Sequence, residues 1–341
     1  MHKSTVSLAL SGKGNIAEAT RSRVMAKAAE LGYQPNPIAQ RLAVGLRNPA
    51  ICIVSGALDV GLGTQKILAI QAKLTQQSFD VPIYTLSGGC VPSDATSGPD
   101  TAATQMRQIC RQRPRAIVCA AQMLGAAALA ELRAYLDGGG IVVTYDLPVS
   151  LPCDQVVFDR EDNAYQAARH LLERGHRKIG IAMSGTAPWQ TDSAPNPHSE
   201  RLRGFLRALH EFNVPAREEW FFRNELYERG GAEMAARFLT LGDQPTGLCI
   251  VNDYVALAFM AEIMRQGIRV PADISIVGHD DQPIARYCPV PMTSVSQPAQ
   301  EIASAVVSLL TERLNGSQTE PQTVTVQGTL SIRESVTAPR R

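Results

Sequence analysis

From residue 50 onward, short apolar runs alternate with stretches whose apolar residues recur at helical spacing. Repeated strand and helix units of this kind build parallel sheets with helices on their faces, so the pattern predicts an α/β fold. Residues 50–341 are more than one such sheet normally holds, and we expect two similar lobes. Seven runs predict strands: residues 51–55, 81–86, 116–120, 141–145, 178–183, 247–251 and 274–277.

The first forty residues follow a different pattern, in which two short helices precede a proline-rich stretch. Residues 5–12 form a helical run with one apolar stripe, made by Val6, Ala9 and Leu10. Residues 17–31 form a second helix, with Thr20, Val24, Ala28 and Leu31 on one side. Gly32 suits the left-handed position that ends a helix, and the prolines of residues 33–37 prevent its continuation. Residues 38–43 predict one last short helix.

Charge is unevenly distributed, although the whole chain has a net charge of only +1. Residues 1–49 carry seven basic and two acidic residues, a net charge of +5, so the remainder carries −4. A basic arm on a mildly acidic body is expected of a protein whose arm alone meets phosphate. By charge alone, a solvated surface helix explains the same distribution.

Several motifs of this arm resemble the headpiece and hinge of the LacI/GalR family of bacterial repressors. They are Thr5-Val6-Ser7, Thr20-Arg21 with Val24, Leu31-Gly32-Tyr33, Pro35-Asn36 and Ala39-Gln40-Arg41-Leu42. The resemblance then continues through nearly the whole chain. It implies a partial all-α helix-turn-helix headpiece and hinge helix in residues 1–49, followed by an effector-binding and dimerisation core in residues 50–341.

The resemblance also implies that the core has the architecture of periplasmic binding proteins, with two parallel doubly wound sheets and a ligand cleft between the lobes. Three chain crossings are expected near Phe158, Ser296 and Gln327. Lobe one would then comprise residues 50–158 and 297–327, and lobe two residues 159–296 and 328–341.

The helix that precedes the recognition helix in this family has no counterpart here, because residue 1 falls at the turn between the two. One hypothesis is that Met1 stands for a Val codon within a longer reading frame, so that the protein starts further upstream. The other hypothesis is that the short chain is authentic, in which case specific DNA binding is weak.

For the DNA-binding part, the resemblance implies a double-stranded operator bound by an isologous homodimer. We expect Lys3 and Ser4 to read base edges, and Leu8 to sense at most a thymine methyl. Four side chains are expected to hold phosphates: Thr5, Ser7, Asn15 and Thr20. In the hinge, Leu42 of each subunit would wedge into a minor-groove step, with Asn36 and Ala39 completing the DNA-binding set. No leucine heptads follow Ser335, which predicts a dimer and not a dimer of dimers.

Polar side chains follow three of the predicted strands: Asp146, Asn252-Asp253 and His279-Asp280-Asp281. Ligands of open α/β sheets bind beyond the carboxyl ends of the strands, but Asn and Asp at these places also cap helices. Capping is favoured for Asp253 and Asp281. For Asp146, Asn252 and Asp280 the resemblance favours binding of a small-molecule effector, a sugar or related metabolite.

Three further residues match cleft positions of the family. Arg201 begins an Arg-x-x-Gly-aromatic motif, where its guanidinium would point into the cleft. Phe158 would be an apolar platform, and Gln297 a polar contact at a lobe crossing. His279 departs from the Tyr or Phe that commonly precedes the aspartate pair.

Little in the sequence indicates an enzyme or a membrane protein. No GxSxG, HExxH, P-loop or metal-spaced His/Cys cluster occurs, so we expect no catalysis, no cofactor and no metal. Seven cysteines without a CxxC pair predict buried reduced thiols, and without a membrane span or signal peptide we expect a cytoplasmic protein. Two alternatives stay open: an effector-binding protein without specific DNA binding, because its headpiece is truncated, and a solute-binding receptor.

Overall fold

The computed structural model describes residues 3–11, 16–31, 49–56, 61–86, 99–184, 197–224 and 227–340. Four predicted DNA-binding residues lie outside these ranges, namely Asn15, Asn36, Ala39 and Leu42.

Two helices form the described part of the headpiece: α1 (Lys3–Ser11) and α2 (Glu18–Glu30). Ala9 of α1 and Val24 of α2 are buried, as the apolar stripes predict. Leu31 is a correction, because it is 68% exposed instead of buried. It lies after the last residue of α2, where no described residue covers it.

Lobe one is built on a six-stranded, entirely parallel sheet. Its strands are β1 (Ile51–Ser55), β2 (Ile83–Thr85), β3 (Ala116–Ala120), β4 (Val142–Asp146), β5 (Asp154–Phe158) and β11 (Thr323–Val326), in the spatial order β11-β5-β4-β3-β1-β2. Its helices are α3 (Leu62–Gln76), α4 (Pro99–Arg111), α5 (Ala126–Asp137) and α11 (Ala299–Leu314). Ile67 of α3 and Ile302 of α11 belong to one buried core with β1, β3 and β4.

Lobe two repeats the same strand order with one antiparallel edge. Its strands are β6 (Ile179–Ser184), β7 (Phe221–Asn224), β8 (Gly247–Ile250), β9 (Ser275–Asp280), β10 (Thr293–Ser296) and β12 (Leu330–Ser331), in the order β12-β10-β9-β8-β6-β7. Its helices are α6 (Arg160–Glu173), α7 (Pro197–Glu211), α8 (Tyr227–Leu239), α9 (Asp253–Arg265) and α10 (Ile284–Tyr287). Two apolar clusters cover the two faces of this sheet.

The chain passes between the sheets three times: after β5, between β10 and α11, and between β11 and β12. In each sheet the central parallel strands end at the same edge. The loops after β4 and β9 begin at these edges, so they can share a ligand site with residues at the three passages. None of the described helices combines the length and apolarity needed to cross a membrane.

All seven predicted strands occur, with small shifts at their ends. The predicted strand 81–86 is shortened to β2, and β4 and β9 extend to include Asp146 and Asp280. Five strands were not predicted, namely β5, β7, β10, β11 and β12.

Six cysteines lie in the described part of the chain, and all six are free thiols. Five of them are buried, as predicted, and Cys110 is half-buried. Burial raises the pKa of Cys52 to about 12 and that of Cys153 to about 11, so both thiols are protonated at neutral pH. Cys90 lies outside the described residues.

Candidate ligand-binding cleft

Asp146 and Asp280 end equivalent strands of the two sheets, β4 and β9. Both have left-handed backbones, with φ of 84° and 96°. Side chains other than glycine rarely adopt this conformation, and where they do they concentrate at functional sites. The two lobes therefore each present one aspartate, held in an unusual backbone conformation, at the carboxyl edge of the sheet.

A continuous polar network joins these two aspartates across the lobes. The Lys66 ammonium, on the first turns of α3, forms an ion pair with Asp146 and donates to Gln297 Oε1 at 3.0 Å. Gln297 Nε2 in turn donates to Asp280 Oδ1 at 2.6 Å. Lys66 is only 3% exposed. Burial lowers the pKa of Lys66 in spite of the attraction of Asp146.

Arg160, the first residue of α6, supplies a second cation to Asp146. Its Nη1 donates to the Asp146 carbonyl oxygen at 2.7 Å, and its Nη2 lies 3.6 Å from Asp146 Oδ1. Burial alone would raise the pKa of Asp146, but Lys66 and Arg160 hold it below its usual value. The buried Phe158 ring lies under both cations, with its centroid 5.9 Å from Lys66 Nζ and 5.6 Å from the Arg160 guanidinium carbon. Such contacts between cations and aromatic rings are attractive.

Arg201 lies on α7 and is 8% exposed. Its Nη1 donates to the Pro197 carbonyl oxygen at 3.3 Å, and no described carboxylate lies within 4.0 Å of its guanidinium. Burial and the nearby Arg160 lower the pKa of Arg201 to about 10, so the side chain is still charged at neutral pH.

Gly204 explains the spacing of the Arg-x-x-Gly motif that contains Arg201. A Cβ atom on Gly204 would lie 1.9 Å from the Glu161 carbonyl oxygen of α6. Only glycine therefore lets α7 approach α6 this closely, which brings Arg201 near Arg160.

His279, just before Asp280, is buried, and one of its two ring nitrogens makes a hydrogen bond. Its Nδ1 lies 3.1 Å from the Ile250 carbonyl oxygen, and because a carbonyl only accepts, Nδ1 carries the proton. Burial and the nearby Arg201 lower its pKa to about 4, so the ring is neutral. The Nε2 lone pair is buried and has no hydrogen-bond partner among the described residues.

The capping role that the sequence favoured for Asp253 is a correction, because Asn252 caps α9 instead. Asn252 Oδ1 accepts the backbone N–H groups of Tyr254 and Val255 at 3.0 and 3.2 Å, so Asn252 caps α9. Asp253 is fully buried and accepts from Ser294 Oγ and from the Gln282 N–H, both at 2.7 Å. Gly278 leaves space for this carboxylate, since a Cβ there would lie 2.2 Å from Asp253 Oδ1.

Asp281 is also not a helix cap. It forms an ion pair with Arg333 at 2.6 Å and accepts a hydrogen bond from Ser331 Oγ at 2.7 Å. Its side chain thereby ties β12 to the loop after β9, whereas α10 begins only after Pro283.

A second contact across the cleft was missed by the sequence analysis, as were Lys66 and Arg160. Gln65 Nε2 of α3 donates to Gln282 Oε1 of lobe two at 2.7 Å. One signal for Gln65 and Lys66 was available, because both lie early in the helix that follows β1, at the carboxyl edge of the first sheet.

Six of the predicted DNA-binding residues belong to the described helices of the headpiece, α1 and α2. Leu8 is 43% exposed, and Thr5 and Thr20 are half-buried. Lys3, Ser4 and Ser7 belong to α1, and their side chains lie outside the described part of the chain.

Two family models match the chain. One, for bacterial regulatory proteins of the lacI family, covers residues 2–36, and the other, for a periplasmic binding protein-like domain, covers residues 168–336. The chain belongs to the LacI/GalR family of bacterial regulators. Its headpiece is of the DNA-binding type, and its core is of the ligand-binding type.

Similar proteins span the same length as this LacI/GalR-family chain. An HTH-type transcriptional repressor PurR from Aliivibrio salmonicida is 26% identical over 332 residues, which cover 97% of this chain and 94% of the relative. The corresponding repressor from Mannheimia succiniciproducens is 25% identical over 334 residues, with the same coverage of both chains. These relatives are named as transcriptional repressors and not as enzymes.

Solved structures share the fold of this regulator. A Lac repressor dimer bound to operator and the anti-inducer ONPF matches with a TM-score of 0.77 at 23% identity, covering 98% of this chain and 95% of that one. A transcriptional regulator CelR–cellobiose complex matches with a TM-score of 0.69 at 23% identity, covering 98% and 96%.

Proposed function

We propose that this chain is a repressor that binds operator DNA as a homodimer and whose DNA affinity is controlled by a small molecule held between its lobes. The observation that carries the proposal is the buried network from Asp146 through Lys66 and Gln297 to Asp280, in a chain with a LacI-type headpiece. Charged side chains from both lobes meet where ligands of α/β sheets bind.

DNA binding and ligand binding are assigned to different parts of the chain. We assign residues 1–49 to the headpiece and hinge and residues 50–341 to the core, with DNA contacts at the headpiece and hinge positions given above. The effector set comprises Asp146, Phe158, Arg201, Asn252, Asp280 and Gln297. Asn252 uses its Oδ1 to cap α9, so only its amide nitrogen is available to a ligand.

The relatives support this assignment of partners. The Lac repressor dimer is described with operator and an anti-inducer, and the CelR structure with cellobiose, which favours operator DNA, a homodimer and a sugar or related metabolite here. We place this function in the cytoplasm, where chromosomal DNA is accessible, and assign no catalytic activity to the chain.

The control mechanism rests on linkage between the two sites. A ligand that binds one arrangement of the lobes more tightly shifts the protein toward it, and the spacing of the paired hinge segments changes with that arrangement. The shift in DNA affinity cannot exceed the difference in ligand affinity between the two arrangements.

Binding of promoter fragments as a function of salt tests the DNA-binding half of the proposal. Fragments selected from genomic DNA by the full chain are titrated at several salt concentrations, and a repressor gives a steep fall of log affinity with log salt. A chain that binds effector but not DNA gives no slope, and this result would refute the proposal.

Leu42→Ala tests the hinge assignment. We expect it to weaken specific DNA binding about tenfold or more, because the minor-groove wedge is lost, while ligand binding at the cleft is unchanged. Equal loss of DNA binding and ligand binding would contradict the hinge role of Leu42.

A further inference from the structure

Two buried groups in the cleft have unused hydrogen-bonding capacity, and they require opposite partners. Arg201 carries five N–H donors, of which one makes a hydrogen bond to a described residue, on a charged side chain that is 8% exposed. His279 Nε2 is an acceptor without a partner among the described residues. Leaving a buried acceptor such as His279 Nε2 without a partner is costly, and a largely buried cation without a carboxylate lacks a counter-charge, so each group indicates a ligand atom of complementary type.

Both groups belong to the space between the two lobes. The Arg201 charge interacts with Arg160, Asp280, Glu200 and Asp146, which come from both sides of the cleft. His279 directly precedes Asp280 and interacts with Arg201. Glu200, next to Arg201, lies 3.9 Å from Arg160, and Asp280, next to His279, accepts from Gln297, so both groups border the same polar network.

The charges already present limit the charge of that molecule. Lys66 and Arg160 share Asp146 as their carboxylate partner, and Arg160 also lies 3.9 Å from Glu200. Arg201 is the cleft cation without a carboxylate among the described residues. One added negative charge matches it, whereas a phosphate dianion would bring a second negative charge for which the described cleft has no unpaired cation.

The aspartates determine the rest of the ligand. Carboxylate oxygens accept hydrogen bonds, so donors on the ligand suit Asp280 and Asp146, and His279 Nε2 also needs a donor. Hydroxyl groups supply such donors without adding charge.

We propose that the effector is a polyhydroxylated monocarboxylic acid of the sugar-acid class, whose carboxylate binds Arg201 and one of whose hydroxyls donates to His279 Nε2. This proposal depends on the proposed function only in calling the molecule an effector, because the binding measurements below need no DNA. The Arg201 fork would hold the carboxylate in bidentate geometry.

Isothermal titration and thermal shift with the full chain test the proposed ligand class. The probes are gluconate, galactonate and glucuronate, each paired with its neutral sugar and its phosphate ester. We expect at least one acid to bind and raise the melting temperature, and its neutral counterpart to bind about 100-fold more weakly. Tighter binding of a neutral sugar or a phosphate ester, or no binding of any acid, would overturn the proposal.

Arg201→Gln identifies the group that holds the carboxylate, and Arg203→Gln on the same helix is the matched control, because Arg203 pairs with Glu161 outside the cleft. Arg201→Gln should weaken the acid about 100-fold with no loss for the neutral sugar, and Arg201→Lys should lie between. Arg203→Gln should match the wild type. Equal effects of Arg201→Gln and Arg203→Gln, in variants with wild-type melting temperatures, would overturn the assignment.

His279→Phe tests the hydroxyl contact with deoxy derivatives of the acid that binds. The variant should lose about tenfold affinity for the acid itself and none for the one derivative that lacks the contacting hydroxyl. Equal losses for every derivative would overturn this contact.

Two further outcomes separate the ligand class from the proposed function. If an acid binds but leaves operator affinity unchanged, the proposed function fails and the ligand class stands. If the chain binds operator but no acid, only the ligand class is overturned.

Discussion

Asp146 is the centre of a buried charge cluster, in which two cations share its one carboxylate. Lys66 and Arg160 both approach Oδ1, and Arg160 also binds the Asp146 carbonyl oxygen. Taking three charges out of water costs several kcal/mol each before the attraction is counted, so the cluster adds little net stability when complete. Removing one member leaves a buried charge poorly compensated, and that asymmetry makes the cluster sensitive to mutation.

Lys66→Met should lower the free energy of unfolding by about 3 kcal/mol, the lower end for breaking a buried pair, because Arg160 still faces Asp146. Urea unfolding followed by circular dichroism measures the change. Lys73→Met, half-exposed on the same helix, is the matched control and should change stability by less than about 0.5 kcal/mol. Adding Asp146→Asn to Lys66→Met should cost less than the sum of the single changes, and a strictly additive result would argue against the ion pair.

His279 makes stability depend on pH. Its pKa is about 4 in the folded protein and near 6.5 in the unfolded chain, so between these values the unfolded state binds more protons. The free energy of unfolding therefore falls as the pH is lowered from 6.5 toward 4, and this contribution is complete above pH 6.5. Between pH 6.5 and 4.5, His279→Phe should reduce the slope of the free energy of unfolding against pH by the equivalent of up to one bound proton. Identical slopes for wild type and variant would contradict this account of His279.

Among the elements, most predicted strands are buried on both faces, although β2 was predicted and has no buried residue, whereas the largely buried β10 was missed. β1, β3 and β4 are buried at every residue and read as continuous apolar runs. β5 alternates buried and half-buried positions, and β11 at the sheet edge has no buried residue, so neither has a continuous apolar run. Edge and crossing strands form because partners already present offer unpaired backbone groups, which no local pattern reveals.

The candidate site was predictable only where a polar residue follows a predicted strand. Asp146 and Asp280 satisfied this condition. Arg160 follows β5, which was not predicted, and Lys66 has the sequence context of a solvent-facing lysine on an amphipathic helix. The family resemblance supplied Arg201, which lies far in sequence from the end of β6, and Gln297, which directly follows β10, a strand that was not predicted.

The close packing of α6 and α7 depends on Gly204. Gly204→Ala should lower the free energy of unfolding by about 3 kcal/mol, because the new Cβ would lie 1.9 Å from the Glu161 carbonyl oxygen and the helices must separate. It should also weaken ligand binding, since Arg201 moves with α7. Gly63→Ala, where no atom lies within 4 Å of the new Cβ, is the control and should stabilise α3 by about 0.5 kcal/mol. Equal stability of both variants would contradict the packing role of Gly204.

At the scale of the whole molecule, the two lobes are linked by the polar network and by the Gln65–Gln282 hydrogen bond. The hydrogen bond joins residues that are far apart in sequence and on opposite sides of the cleft. A ligand that favours the closed arrangement must gain from contacts of this kind, because they exist only when the lobes are close.

Gln65→Ala and Gln282→Ala should each weaken ligand binding about fivefold, the equivalent of about 1 kcal/mol for one hydrogen bond. The double variant should be no weaker than the worse single variant, because both remove the same bond. Small-angle scattering of the free protein should give a larger radius of gyration for each variant than for the wild type. A double variant with the product of the two single losses would show that the residues act separately.

The proposed function requires that ligand binding in the cleft change the affinity for operator DNA, and fluorescence anisotropy of an operator fragment with and without the cleft ligand measures that change. The full chain should change its operator affinity at least tenfold when the cleft ligand is added, in either direction, and the Arg201→Gln variant should bind the operator without that response. Equal operator affinity of the wild type with and without a ligand that saturates the cleft would contradict the claim.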